Sequence, residues 1–160
     1  MKHLRILIIA LLFPFALHAQ SADQKIGELL GSGDWFSLNR EYNQIKDSLQ
    51  SDVLRLMSET MLSAYFNRPE ELRASLQDLI GKHSEEIGLQ NVCNMLTLGA
   101  IAEGSNGRYA LAADMLKSVI DRAVEAGAPA GETGLEEANV LLGTYGSTQS
   151  VNRRKLATFA

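Results

Sequence analysis

The sequence predicts an all-α fold of antiparallel helix pairs stacked on one another, on three observations. Apolar residues recur at three- and four-residue intervals through nearly all of residues 26–123, the spacing that lines one face of an α-helix. No stretch alternates apolar and polar residues with β-branched enrichment, so no strand is expected. Thirdly, the segments beginning at Asp34, Pro69 and Arg108 superpose at a near-regular spacing. Leu38, Leu72 and Ala112 fall in register, as do Tyr42, Leu76 and Leu116, and then Ile45, Leu79 and Val119.

Taken in order, Ile26, Leu29 and Leu30 begin a short helix that Gly31-Ser32-Gly33 stops. Asp34 is a candidate N-cap for the next, whose face is Trp35, Leu38, Tyr42, Ile45 and Leu49. Ser51 or Asp52 caps a third, carrying Val53, Leu56, Met57, Thr60, Met61, Ala64 and Tyr65 as far as Asn67. Pro69 suits the first position of a fourth helix, because the amide it lacks has no helical partner there. Leu72, Leu76, Leu79 and Ile80 line that helix before Gly81. A fifth runs from Glu85 to about Glu103, and Gly104 to Gly107 break it. The sixth carries Tyr109, Ala112, Ala113, Leu116, Val119, Ile120 and Ala123, and ends at Gly127.

Residues 1–19 have the organisation of a secretory signal peptide. Lys2 and Arg5 flank a basic start, Ile6 to Phe13 is unbroken apolar sequence, and Ala16 to Ala19 close it with small residues. The run is shorter than the roughly 20 residues a membrane span needs, so no stable membrane anchor is expected. Cleavage is expected after Ala19, or alternatively after Ser21, with export to the periplasm or beyond. Loss of residues 1–19 takes two of the 15 basic side chains and none of the 19 acidic ones, leaving a formal charge of −6. A chain this acidic is not expected to bind nucleic acid, where phosphate neutralisation supplies most of the affinity.

Residues 20–127 are the length of one ordinary domain and can bury a core without staples. Cys93 is the only cysteine, so no internal disulfide forms. Its apolar neighbours Val92, Met95 and Leu96 make it a buried hydrophobe rather than a nucleophile. Beyond the leader one histidine remains, His83, too few for a zinc site, and no loop has the acidic spacing of a calcium site. Neither a Gly-x-Ser-x-Gly elbow nor a phosphate loop occurs. The acid pairs Glu70-Glu71, Glu85-Glu86 and Glu136-Glu137 diverge by about 100° on a helix and form no acid–base dyad. They read as helix starts, where the dipole favours negative charge. No catalytic residue, cofactor or metal is therefore expected.

The helix pairs resemble tetratricopeptide-type repeats, whose period is about 34 residues. Gly107-Arg108-Tyr109-Ala110-Leu111-Ala112-Ala113 carries the likeness best and is similar to the opening of that family's second helix. Leu72 stands where the family prefers a small residue, and the tryptophan, leucine and glycine of the family's first helix are missing, so the repeat is degenerate. An irregular bundle with evenly spaced loops has the same pattern. The resemblance implies a concave face that binds a peptide or protein partner. The candidate contact residues on the first helices of the pairs are Arg55, Glu59, Ser63, Asn67, Asn91, Asn94 and Thr97. Polar residues on the solvent side of any amphipathic helix look the same.

Ala22 to Phe36, with Leu56-Met57-Ser58-Glu59 and Ala64-Tyr65-Phe66-Asn67-Arg68-Pro69, also resembles the amino-terminal helical region of secreted bacterial proteins that carry a retropepsin-like aspartic protease domain. The likeness covers roughly residues 1–126. In that family the chemistry resides in Asp-Thr-Gly or Asp-Ser-Gly, and neither tripeptide occurs here. The resemblance therefore implies an accessory helical part, with no catalytic residue carried over. Residues 128–160 read as a linker (Ala128 to Gly134), a short helix (Leu135 to Leu142), a turn-like stretch (Gly143 to Ser150) and a disordered basic tail. Such an ending fits a truncated member of a longer family, or equally a short protein with a frayed tail.

Overall fold

A computed structural model describes residues 21–128 and 134–158, with side chains as far as Ser147 in the last segment. The leader expected over residues 1–19 and most of the linker lie outside the described residues. Those described are helical, with no strand: α1 (Ala22–Ser32), α2 (Trp35–Ile45), a short 3₁₀ turn (Lys46–Ser48), α3 (Asp52–Tyr65), α4 (Pro69–Ser105), α5 (Tyr109–Glu125) and α6 (Leu135–Thr158). The chain divides into two compact units at Leu54 and Arg55, within α3.

In the first unit, α1 and α2 are joined by a reversal at Gly33, which takes the left-handed φ of 69° that favours glycine. Asp34 caps α2 as expected, its carboxylate accepting from the Ser37 amide at 3.0 Å. Ile26, Leu38 and Tyr42 are buried. Lys25 Nζ ties α1 to Glu41 of α2 at 2.5 Å. The Asp23 carboxylate accepts from the amides of Gln50 (2.9 Å) and Ser51 (3.1 Å), drawing the chain after the 3₁₀ turn back to α1.

The hydrogen bond from Lys25 holds the Glu41 carboxyl below the usual range, against the opposing effect of burial, and the Ser37 amide does the same for Asp34. A depressed carboxyl contributes stability above its unfolded pKa and loses it as pH falls through the folded one. The stability of this unit is therefore expected to stay level from neutrality down to about pH 5 and to fall below about pH 4. Glu41→Gln should flatten that fall. Trp35, the only tryptophan, reports the unfolding by fluorescence.

The second unit is a succession of antiparallel helical hairpins. The cap of α3, where Ser51 Oγ accepts from the Leu54 amide at 3.2 Å, belongs to the first unit, and Pro69 occupies the start of α4 as the sequence predicts. Three of the reversals share one hydrogen-bond pattern. After α3, Arg68 N donates to Ser63 O (2.7 Å) and Asn67 N to Ala64 O (3.2 Å). After α4, Arg108 N donates to Glu103 O and Gly107 N to Gly104 O. After α5, Ala128 N donates to Ala123 O and Gly127 N to Val124 O. Each is a Schellman cap with its left-handed residue at Asn67 (φ 51°), Gly107 (φ 76°) or Gly127 (φ 59°). The requirement for glycine at position 107 is thus met by backbone geometry.

The fourth reversal differs from the sequence expectation. The break expected between Gly81 and Glu85 falls instead at Gly88, with φ 76° and ψ 161°, a region open in practice to glycine alone. Residues 69–87 and 89–105 form two arms that fold back on each other there. A Cβ placed on Gly99 would lie 2.7 Å from Leu76 Cδ2 and 3.1 Å from Met115 Sδ, so the second arm is held closely by both the first arm and α5. Glu85 and Glu86 accordingly lie inside a helix rather than at its start, and Glu86 pairs with His83 Nδ1 at 3.1 Å. Glu70-Glu71 and Glu136-Glu137 do sit in first turns.

The core collects Val92, Cys93, Leu96 and Ala100 of the second arm, Ala112, Leu116 and Val119 of α5, and Ala138 of α6. Among the residues superposed in the sequence, Leu38, Leu72, Ala112, Tyr42, Leu76, Leu116, Leu79 and Val119 are buried, and Ile45 is half-buried. The helix beginning at Leu135 continues to Thr158, through the Gly143–Ser150 stretch expected to turn and into the tail expected to be disordered. Leu141, Leu142 and Tyr145 pack against the core, and that burial outweighs the poor helix propensity of Gly143 and Gly146.

Candidate functional site

The sequence-predicted contact residues do not form one exposed set. Arg55 and Glu59 are half-buried on α3, one turn apart, with Nη1 3.2 Å from Oε1. Ser63 is 3% exposed and Thr97 is 8% exposed, so both belong to the interior and are withdrawn from any contact surface. Each lies on the same stripe as the apolar residues one turn away, and a small hydroxyl side chain is accommodated there. Asn67 serves the reversal, its Oδ1 accepting from Asn106 Nδ2 at 3.1 Å. Asn91 and Asn94 are exposed; Asn91 Nδ2 donates to Ile87 O (2.8 Å), and Gln90 Nε2 donates to Asn94 Oδ1 (3.4 Å).

The outward stripe of the second arm is Gln90, Asn94, Leu98, Ile101 and Ser105, a helical succession with Leu98 half-buried and Ile101 38% exposed. On α3 the corresponding stripe is Met57, Met61, Ala64 and Tyr65, with Tyr65 50% exposed and its ring edge-on to Phe66. These apolar residues on otherwise polar surfaces replace Ser63 and Thr97 as candidates. Sequence periodicity assigns Met57, Met61 and Tyr65 to the core because apolarity is the only signal it carries.

The most concentrated charge lies elsewhere. Glu103, 1% exposed in the last turn of the second arm, is gripped by two arginines from two other segments. Its Oε1 lies 3.0 Å from Arg73 Nη2 of the first arm, and its Oε2 pairs with Arg108 Nε ahead of α5. Glu70 completes the group, accepting from Arg73 Nη1 at 2.8 Å and lying 3.5 Å from Arg108 Nη1. Glu103 raises the Arg108 pKa still further, chiefly by its hydrogen bond. Arg73 Nε and Arg108 Nη2 are buried without a protein partner. The two guanidiniums are shared between the two carboxylates, which is the geometry of a charge-assisted structural cluster. The cluster joins three helical segments. It was detectable in the sequence: Glu103 continues the buried series Val92, Leu96, Ala100, and a carboxylate on an apolar stripe requires a cation beside it.

Cys93 is buried, and burial pushes its thiol above the usual range, with Arg122 opposing more weakly. That is the reverse of an activated nucleophile. Among the described residues no group of histidine, cysteine and carboxylate side chains is placed to hold a metal ion, and no helix is long and apolar enough to cross a membrane. No protein-family model matches the chain, and neither a curated protein nor a solved structure shows significant similarity to it.

Proposed function

We propose that the mature chain is an exported helical-repeat module that binds a peptide or protein segment and carries no catalysis of its own. The observation that supports this best is the recurrence of one structural unit. The Schellman reversal at Asn67-Arg68 returns at Gly107-Arg108, each time joining a helix with an outward stripe that includes apolar residues to an amphipathic helix with one buried face and one exposed, polar face. Stacked units of this kind commonly leave the outward stripes of alternate helices to a ligand. Here those stripes hold Met57, Met61 and Tyr65 on α3, and Asn94, Leu98 and Ile101 on the second arm. Methionine and exposed aromatics are frequent in surfaces that accommodate apolar side chains of a partner.

The test is site-specific photocrosslinking in the native cell envelope. A crosslinking residue at Asn94 or Ile101 is expected to give a discrete adduct. The same residue at Lys117 or Asp121, exposed on α5, should give none. Equal adducts at all four positions, or none at any, would remove the proposal. The recovered protein is expected to begin at Gln20, or at Ala22 for the alternative cleavage, as read by amino-terminal sequencing.

A further inference from the structure

We infer that α6 is a detachable cap, a helix that undocks as a unit while α4 and α5 stay folded. Ala138, Leu141 and Leu142 pack its first half against the core, and beyond them its attachment rests on one close fit. A Cβ on Gly104 would lie 2.4 Å from Tyr145 Cζ and 2.6 Å from its Oη, so the tyrosine ring occupies space that only glycine leaves open. Tyr109 meets the same ring at 5.9 Å between centroids. Burial of the Tyr145 phenol, followed in size by the neighbouring Tyr109, raises its pKa. Of the described side chains of α6, Ala138 alone is fully buried, whereas α5 buries Ala112, Leu116, Val119 and Ala123. The sequence of α6 from Gly143 to Ser150 contains Gly143 and Gly146, near the bottom of the helix-propensity ranking, with Thr144, Ser147, Thr148 and Ser150, which favour helix less than alanine or leucine. A helix with such weak intrinsic propensity holds its shape only against a packing surface, so undocking and unfolding of α6 coincide. Opening bares the faces of α5 and of the second arm around Gly104, and α6 thereby governs access to them.

Native-state hydrogen exchange on the full chain tests this. Amides of residues 138–147 are expected to exchange about a hundredfold faster than those of residues 116–119, with a weaker dependence on low urea, as for sub-global opening. Gly104→Ala should accelerate exchange in α6 about tenfold further and leave α5 unchanged. Tyr145→Ala should do the same, and the double variant should be no faster than Tyr145→Ala alone, because the glycine matters only to the ring. Exchange of α6 and α5 with equal protection and equal urea dependence would overturn the inference. So would a Gly104→Ala variant that loses protection equally in both helices, or a Tyr145→Ala variant that leaves α6 unaltered.

Discussion

Glu103→Ala is expected to destabilise the second unit by about 3 kcal/mol, the low end of the cost of leaving a buried ion pair with one partner. Arg73 and Arg108 keep about a third of their side-chain surface, so water relieves part of the penalty. In a unit of this size the loss corresponds to a fall in Tm of more than 10 °C, on the order of 4–8 °C per kcal/mol. Glu103→Gln should cost less than the alanine variant, since the amide oxygen still accepts one guanidinium hydrogen bond. The decisive comparison is a triple replacement, Glu103→Leu with Arg73→Met and Arg108→Met. Apolar substitution of an entire buried ionic group is commonly neutral or stabilising, so the triple variant is expected to recover most of the lost stability. Urea unfolding monitored by circular dichroism measures all three. An alanine variant within about 0.5 kcal/mol of the parent, as for an ordinary surface change, would show that the cluster does not hold the three segments together.

The contrast between Glu103 and the repeated apolar positions explains how far the fold could be read. Spacing alone directs Leu38, Tyr42, Leu72, Leu76, Leu79, Ala112, Leu116 and Val119 inward, and they are buried because a helix has one way to hide a stripe at that period. Caps at Asp34 and Ser51 are legible for the same local reason, since a side-chain oxygen meets an amide three residues on. Features set by non-local contact are not. Gly143 and Gly146 read as a turn, yet Tyr145 between them packs where Gly104 leaves room, and the two lie on different helices far apart in sequence. Ser63 and Thr97 read as surface from their polarity, and packing places them inside. The contact surface is the least legible part, because exposed Tyr65 and Ile101 have the same composition as core residues.

Gly81 and Gly88 lie in the same element, both with open space around the position of a Cβ, and they are expected to respond oppositely to alanine. Gly81 is exposed and helical, so Gly81→Ala should stabilise by roughly 0.5–1 kcal/mol through the entropy it removes from the unfolded chain. Gly88 holds a backbone conformation that an L-residue adopts only under strain, so Gly88→Ala should cost about 1–3 kcal/mol although nothing clashes with the new methyl. Strain of this origin has one further outlet. If residue 88 turns helical, the 37 residues of α4 become a single rod about 55 Å long. The arms then separate, and the surfaces around Leu76 and Gly99 can be covered only by the arms of a second chain. Gly88→Ala is therefore expected to yield an arm-exchanged dimer on size-exclusion chromatography as concentration rises, while Gly81→Ala elutes as the parent does. Equal stability of the two variants would mean that the fold-back of α4 is not centred on Gly88. A destabilised Gly88→Ala that never changes its elution would mean that the packing between the arms withstands the backbone strain.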